Sequence, residues 1–273
     1  MMGKIIGMLV FSAILFTGCS DYNKVLKSDD HARKFAMANE LYENGDQGSN
    51  YERSVNLYQQ VYQRSPNSGE GEVSYFRVGK AFYLSGDYYS ASYYLGVFVQ
   101  RFPGSVKVEE ATFLSAMCSV NDSPHWSLDQ EFTEVAINDL QIFIDRFPNS
   151  SLVDSCNNMI DRLRFKIETK TYEGVKLYSK TLNYRASVAS ARAFMEDYPL
   201  SMFKEEVHYL LVKNSYELAT FSIDNKKLDR IKETIERYST FVAAFPDSKY
   251  LKELAGYDDK MREERDRINS ENK

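Results

Sequence analysis

The side chains that most often carry out chemistry are few in this chain and far apart along it. The histidines His31, His125 and His208 show no spacing typical of a zinc site or a catalytic constellation. The sequence also contains no glycine-rich phosphate loop and no Gly-x-Ser-x-Gly elbow. The acidic pairs Glu109-Glu110 and Glu205-Glu206 fit solvated helix ends or faces. We therefore expect neither an enzyme nor a site for a metal or an organic cofactor.

One cysteine, Cys19, stands where a covalent modification is expected. Lys4 precedes an apolar run over residues 5–16, and the small residues Thr17 and Gly18 follow it, as in a secretory signal. The run is shorter than the roughly 20 residues that a membrane span needs. Small residues directly before a cysteine resemble a bacterial lipoprotein signal. The resemblance implies removal of residues 1–18 and a diacylglycerol and an acyl chain on Cys19. An ordinary cleaved signal with an incidental cysteine is the alternative.

The residues after Cys19 bear on where the chain is sorted. Ser20 does not resemble an inner-membrane retention signal, and Asp21 stands without the acidic run of a surface-export signal. We therefore expect a lipid anchor in the outer membrane, on its periplasmic face. Residues 19–30 are predicted to form a polar tether between the lipid and the folded part of the chain.

The amino-acid composition argues against some of the remaining classes of function. The net charge of −5 and the pI near 5.4 argue against nucleic-acid binding, which needs a basic surface. The 20 tyrosines and 17 phenylalanines follow helical spacing, so packing in a core is their expected role. Cys118 and Cys156 lie in apolar helical contexts. We expect buried free thiols there, although an oxidising compartment would permit a disulfide.

A pattern of small, apolar and proline residues occurs five times. The prolines are Pro66, Pro103, Pro148, Pro199 and Pro246, and a serine follows each two positions later. Twelve positions before them stand the small residues Ser54, Ala91, Ala136, Ser187 and Thr234. The residues eight positions before the prolines are Tyr58, Leu95, Leu140, Ala191 and Tyr238. The residues five positions before them are Val61, Phe98, Phe143, Phe194 and Phe241. These offsets share one helix face, so each copy predicts an amphipathic helix that ends near its proline, with the serine capping the next helix.

Five copies predict an all-α solenoid of about five helix pairs, closed by a C-terminal capping helix. The predicted repeats cover residues 31–66, 67–103, 104–148, 149–199 and 200–257, and a charged tail follows at 258–273. Gly86-Asp87 marks the turn inside the second repeat, whereas the fourth has Leu182-Asn183 in that place. The small residues Ala38 and Gly79 should let paired helices approach closely.

The motif of each repeat resembles the tetratricopeptide repeat, and residues 75–103 fit it best. That resemblance implies a right-handed superhelical solenoid. Five repeats behind a lipoprotein cysteine, with Arg-Phe-Pro endings at residues 101–103 and 146–148, further resemble the BamD family of outer-membrane lipoproteins. Residues 127–130 and 206–218 add to the likeness, which covers the chain from Cys19 to about residue 257.

The resemblance implies a scaffold without catalytic chemistry. Its expected partners are a BamA-like barrel subunit, bound through the C-terminal repeats, unfolded outer-membrane β-barrel proteins, bound in the N-terminal repeats, and outer-membrane lipid. Carried onto this sequence, the candidates for the substrate groove are Phe35, Asn39, Tyr42, Phe76, Lys80 and Tyr83. Aromatic rings interleaved with a cation suit an extended peptide that ends in an aromatic residue and a carboxylate. The alternative is that these residues only pack between helices.

Two other functions stay open. An outer-membrane lipoprotein that gathers ligands for a nutrient transporter would usually be longer and carry exposed tryptophans in large loops, whereas Trp126 is the one tryptophan here. A periplasmic adaptor for peptidoglycan enzymes or a secretion system would share the repeats but not the barrel partner. A glutamine-rich coiled-coil region before the repeats would favour that adaptor, and the sequence has none.

Overall fold

The computed structural model describes residues 21–45 and 49–271, and helices dominate both ranges. Residues 21–27 are helical. Eleven further helices follow: α1 His31–Glu43, α2 Asn50–Arg64, α3 Gly69–Ser85, α4 Tyr88–Arg101, α5 Val108–Asp122, α6 Glu131–Arg146, α7 Val153–Lys180, α8 Tyr184–Asp197, α9 Lys204–Thr220, α10 Asp224–Ala244 and α11 Leu251–Glu271. The predicted signal and Cys19 lie outside the described residues.

The helices pack in sequence order within two compact units, of which the first ends at Leu163 and the second begins at Arg164. In the N-terminal unit each helix from α1 to α6 packs against the next, and the first helices of successive pairs, α1, α3 and α5, also touch. In the C-terminal unit α9 packs against α8, α10 and α11. The prediction of an all-α helical repeat fold is thus confirmed, and the handedness of its superhelix stays a prediction.

The five-fold register forms the core. All five small positions, from Ser54 to Thr234, are at most 1% exposed. Five residues before the prolines, the four phenylalanines are fully buried and Val61, in the first copy, is 2% exposed. Of the five residues that lie eight positions before a proline, only Tyr238 is partly exposed. Each second helix ends two residues before its proline, after which the chain cannot continue as a helix.

The serine after each proline caps the next helix in the predicted way only once. Ser68 accepts a hydrogen bond from the backbone N–H of Gly71 at 3.0 Å and is the N-cap of α3. After the other four prolines the serine instead accepts from the N–H two residues on, as Ser201 does from Phe203 at 2.9 Å. There the serine stabilises a turn that comes just before the helix, so the helix begins three residues after the serine.

Two segments are more ordered than the sequence indicates. In the expected tether, Tyr22 and Val25 are buried against α1 and α2, and the Tyr22 hydroxyl donates to the carbonyl of Arg53 at 3.3 Å. In the expected tail, α11 continues to Glu271 and buries Met261 with Ala219 and Ile231. In both segments a few apolar residues at helical spacing outweigh the polar composition.

The paired helices touch closely at the small positions. A Cβ atom added to Gly79 would lie 2.9 Å from Leu95 Cγ and 3.2 Å from the Leu95 nitrogen, closer than packing allows. Ala38, at the matching position of the first repeat, is fully buried. The expected close approach is therefore present in both repeats.

The turns at Gly86 and Leu182 share one geometry although their residues differ. Gly86 has φ +85° and Leu182 has φ +60°, both in the left-handed region. In each turn, the residue after the left-handed one donates its backbone N–H to the carbonyl five residues earlier. Asp87 donates to Phe82 in the first turn, and Asn183 donates to Tyr178 in the second. A leucine there lacks the conformational freedom of glycine, and its side chain is 67% exposed. Leu182 is thus strained without being part of the core.

We expect Leu182→Gly to raise the free energy of unfolding by about 0.5–1 kcal/mol, because strain relief exceeds the added entropy of the unfolded chain. The matched change Gly86→Ala should lower it by about 1 kcal/mol, since an added Cβ has open space around it and only the backbone conformation is penalised. Urea unfolding of the two variants measures both effects. A loss of stability in Leu182→Gly would show that the leucine packs against other residues.

We expect Phe98→Ala to destabilise the chain by roughly 3–5 kcal/mol. Phe98 is fully buried, and its ring centroid lies 5.4 Å from that of Phe76 and 5.2 Å from that of Phe102. Tyr89→Ala, on the same helix but 87% exposed, is the control and should change stability by less than about 0.5 kcal/mol. A loss below about 1 kcal/mol for Phe98→Ala would mean that the core is misassigned.

Candidate functional site

A groove of about 360 Å³ lies in the N-terminal unit, along the first helices of the repeats. Tyr42 of α1, Phe76, Arg77 and Lys80 of α3, and Lys107 just before α5 line it. We call it the Phe76 groove. Lys80 lies three residues after Arg77 and four after Phe76, so it is the helix-surface neighbour of both, and one helix contributes a ring and two cations. Glu43, Glu72, Val73 and Phe98 complete the lining.

Arg77 is held by groups from two neighbouring helices, α1 and α2. Its guanidinium donates to Asn39 Oδ1 at 2.6 Å and to the Tyr58 hydroxyl at 2.9 Å, and it lies 4.9 Å from the ring centroid of Tyr42. Glu43 Oε1 is 3.5 Å away. Burial alone would lower the pKa of Arg77, but the hydrogen bond to Tyr58 and the nearby Glu43 raise it. Burial also raises the pKa of Tyr58 to about 12, so the hydroxyl stays protonated. Arg77 is therefore a fixed, permanently charged wall of the groove.

Two lysines share one carboxylate at the other side of the groove. Lys80 Nζ lies 2.6 Å from Glu110 Oε1, and Lys107 Nζ lies 3.1 Å from Glu110 Oε2. Both ammonium groups also face the Phe76 ring, at 6.0 Å and 5.5 Å from its centroid. Burial alone would raise the pKa of Glu110, but the hydrogen bonds from the two lysines hold it below its usual value. The two lysines carry one charge more than Glu110 neutralises, and Glu72 is a further carboxylate in the lining of the same groove.

The six groove candidates do not all meet. Tyr42, Phe76 and Lys80 line the Phe76 groove, and Asn39 lies behind it as an acceptor for Arg77. Phe35 instead packs edge-on against Tyr58, with ring centroids 6.3 Å apart. Tyr83 packs against Tyr88 at 5.7 Å. For these last two residues, packing between helices is the role that the structure describes.

Sequence reasoning missed most of the charged residues of the groove: Arg77 and Lys107, the lining acids Glu43 and Glu72, and Glu110, which pairs with the two lysines. Arg77 directly follows Phe76, and its three-residue spacing from Lys80 could have revealed it. Lys107 precedes α5 and carries no such signal. Glu110 was expected to be a solvated acid, but the packing of α5 beside α3 brings it to Lys80, thirty residues away.

The C-terminal unit has a polar groove of about 350 Å³ between α8, α9 and α10. Arg237 donates to Glu233 and to Ser215, both at 2.8 Å. Burial lowers the pKa of His208, and nearby Lys204 lowers it further, so this histidine favours its neutral form. His208 packs against the ring of Phe245, with centroids 5.5 Å apart, which makes it a packed histidine and not a ligand.

Cys118 and Cys156 are both free and buried, and burial raises the pKa of the Cys118 thiol to about 12. Among the described residues, no group of three histidine, cysteine or acidic side chains has the arrangement of a metal site. None of the described helices is long and apolar enough to cross a membrane.

Comparison with known proteins places these helices in a family. The model of the YfiO family, whose description is "Outer membrane lipoprotein", matches residues 35–199 and 166–268. The chain belongs to this family of outer membrane lipoproteins. The family expected from the repeats and the signal is thereby confirmed, and neither the description nor the repeats point to an enzyme.

The chain is also similar to three proteins named "Outer membrane protein assembly factor BamD". It is 24% identical to that of Caulobacter vibrioides over 63% of this chain and 58% of the relative. It is 27% identical to that of Helicobacter pylori over 50% of this chain and 61% of the relative. With that of Neisseria meningitidis it shares 23% identity over 77% of this chain and 79% of the relative. The chain thus spans less than two thirds of the first two relatives.

Proposed function

We propose that this chain is a lipid-anchored periplasmic scaffold that serves the insertion of β-barrel proteins into the outer membrane. The observation that carries the proposal is the Phe76 groove, in a member of an outer membrane lipoprotein family whose relatives are named as assembly factors. The scaffold would hold a BamA-like barrel subunit and present a groove to unfolded substrates. Lipidation of Cys19 would keep it at the membrane, since each buried methylene contributes roughly 0.8 kcal/mol.

The ligand that we propose for the Phe76 groove is the end of an unfolded barrel protein, an extended peptide with an aromatic residue and a free carboxylate. Tyr42 and Val73, which is 40% exposed, offer apolar surface for the ligand's ring, whereas Phe76 is 5% exposed and mainly fills the core. Lys80 and Lys107 together carry one positive charge more than Glu110 neutralises, which suits the carboxylate. Arg77 is already engaged by Asn39 and Tyr58, so it would orient the peptide and not move to meet it.

The second partner surface, for a BamA-like subunit, is proposed in the C-terminal unit. The groove beside Arg237, Arg192 and Glu236 presents charges of both signs around the apolar side chains of Met195 and Leu211. Charged and apolar side chains together are the usual composition of a protein–protein interface, although Leu211 itself is only 6% exposed. The support for this assignment is the family resemblance together with that composition.

Lys80→Glu should weaken binding of a synthetic peptide that ends in phenylalanine and a free carboxylate by at least about tenfold, because a charge-assisted hydrogen bond contributes about 1.5–3 kcal/mol. The same peptide with a C-terminal amide should bind more weakly to the unaltered chain and lose little further in the variant. Fluorescence anisotropy with labelled peptides measures all four combinations.

Lys176→Glu is the matched control, since Lys176 also pairs with a glutamate, Glu173 at 2.9 Å, and faces a tyrosine ring at 4.7 Å. It lies in the C-terminal unit and should leave peptide affinity unchanged. Equal affinities for the acid and the amide, or unchanged affinity in Lys80→Glu, would place the substrate site elsewhere.

A tagged full-length chain, purified from detergent-solubilised membranes, should co-purify with a large β-barrel protein that carries soluble periplasmic domains, as mass spectrometry would identify. Cys19→Ala should move the chain out of the membrane fraction, because the lipid anchor is then missing. Recovery of a nutrient transporter or of peptidoglycan enzymes in place of the barrel protein would contradict the assembly function and leave the fold unaffected.

A further inference from the structure

A second groove in the N-terminal unit combines exposed aromatic rings with carboxylates. Tyr89 and Tyr93 of α4 and Phe132 and Val135 of α6 form its walls, with Asp122 of α5 at its edge, and its volume is about 340 Å³. We call it the Phe132 groove. It shares no lining residue with the Phe76 groove, which follows the first helices of the repeats.

The apolar side chains of the Phe132 groove are unusually exposed for their size. Tyr89 is 87% exposed, Tyr93 63%, Phe132 62% and Val135 45%. The core faces of the same helices are already filled by other residues, which the five-fold register supplies. These two helices therefore carry a second apolar face that the fold does not need. Clustered exposure of this kind marks an interaction site more often than single exposed residues do.

The charge around this face has one sign. Residues 108–146, which form α5, α6 and the loop between them, contain eight aspartates and glutamates, and the one lysine or arginine among them is Arg146 at the C-terminal end of α6. On α6, Glu131 directly precedes Phe132 and Glu134 directly precedes Val135. The two glutamates are therefore about one helical turn apart, as are the two apolar residues. Neither these glutamates nor Asp122 form an ion pair with any residue in the described part of the chain. The rim of the groove is therefore an uncompensated negative surface.

We propose that the Phe132 groove is a docking site for a segment of another protein that combines apolar side chains with lysines or arginines. The apolar side chains would cover the rings, and the cations would meet the carboxylates of Glu131, Glu134 and Asp122. Such complementarity mainly sets partner choice and the rate of association. An anionic lipid surface is repelled by this rim, and so is a second copy of this chain, whose net charge is −5.

A matched pair of short synthetic peptides tests the charge requirement on the full-length chain. Both contain the same phenylalanines and leucines, and one carries lysines where the other carries glutamates. We expect the lysine peptide to bind at least about tenfold more tightly in fluorescence anisotropy, with an affinity that falls as salt is raised, because the pairs are exposed and therefore screened. Equal binding of the two peptides would overturn the proposal.

Substitutions test whether the peptide binds at this groove. Tyr93→Ala with Phe132→Ala should weaken the lysine peptide about tenfold while circular dichroism stays unchanged, since both rings are mostly exposed. Glu131→Gln with Glu134→Gln should weaken it as well. Asp259→Asn with Glu263→Gln removes the same two charges from exposed positions of α11 and should have no effect. Equal losses in this control would show that net charge alone attracts the peptide, which would overturn the proposal.

Crosslinking in cells tests the partner's identity. A photoreactive phenylalanine analogue at position 93 should form an adduct with another protein, at a segment that mass spectrometry shows to be apolar and positively charged. The Glu131→Gln and Glu134→Gln changes should reduce that adduct at least about fivefold, whereas Lys80→Glu, in the Phe76 groove, should not. An adduct with lipid, with a second copy of this chain or with an acidic segment, or no adduct at all, would contradict the proposal.

Discussion

The contact between the two helices of each repeat is the constraint on which the other features depend. At Ser54, Ala91, Ala136, Ser187 and Thr234 the side chain is small and almost fully buried. The contact of Gly79 with Leu95 shows how little space separates the helices there. When the helices lie this close together, one large side chain, such as Phe98 or Phe143, is enough to fill the core of a repeat. A bulkier residue at the crossing would push the helices apart and open that core.

Because the cores are filled by a few residues per helix, the remaining faces are free to differ. On the first helices, the groove is lined by charges of both signs, Arg77, Lys80 and Lys107 with Glu43 and Glu72, next to Phe76, which itself belongs to the core. On the second helices, the free face carries Tyr93 and Phe132 among carboxylates. The N-terminal unit thereby presents two grooves, one lined by cations and carboxylates together and one with a carboxylate, Asp122, and exposed rings. They are the two surfaces for which we propose different ligands.

Strain and polar networks mark where the repeats depart from one another. Leu182 adopts the backbone conformation that Gly86 has in the second repeat, so the turn geometry persists although the residue type does not suit it. In the C-terminal unit the Tyr209 and Tyr250 rings stack at 4.0 Å, and Glu253 accepts hydrogen bonds from Tyr209 and Tyr257. The contacts of Tyr209 attach the start of α11 to α9, and the burial of Met261 with Ala219 and Ile231 holds the helix further along.

The sequence by itself determined the helices, the ends of the second helices and most of the core. Proline sterics and the helical period act within a few residues, so Pro103 and Phe98 could be interpreted without knowing their neighbours in space. Only the tertiary structure decided which charges and rings meet. Arg77 bonds to Asn39 across 38 residues, and Lys80 to Glu110 across 30. These contacts between residues far apart in sequence depend on how whole helices pack, and no local sequence pattern encodes them.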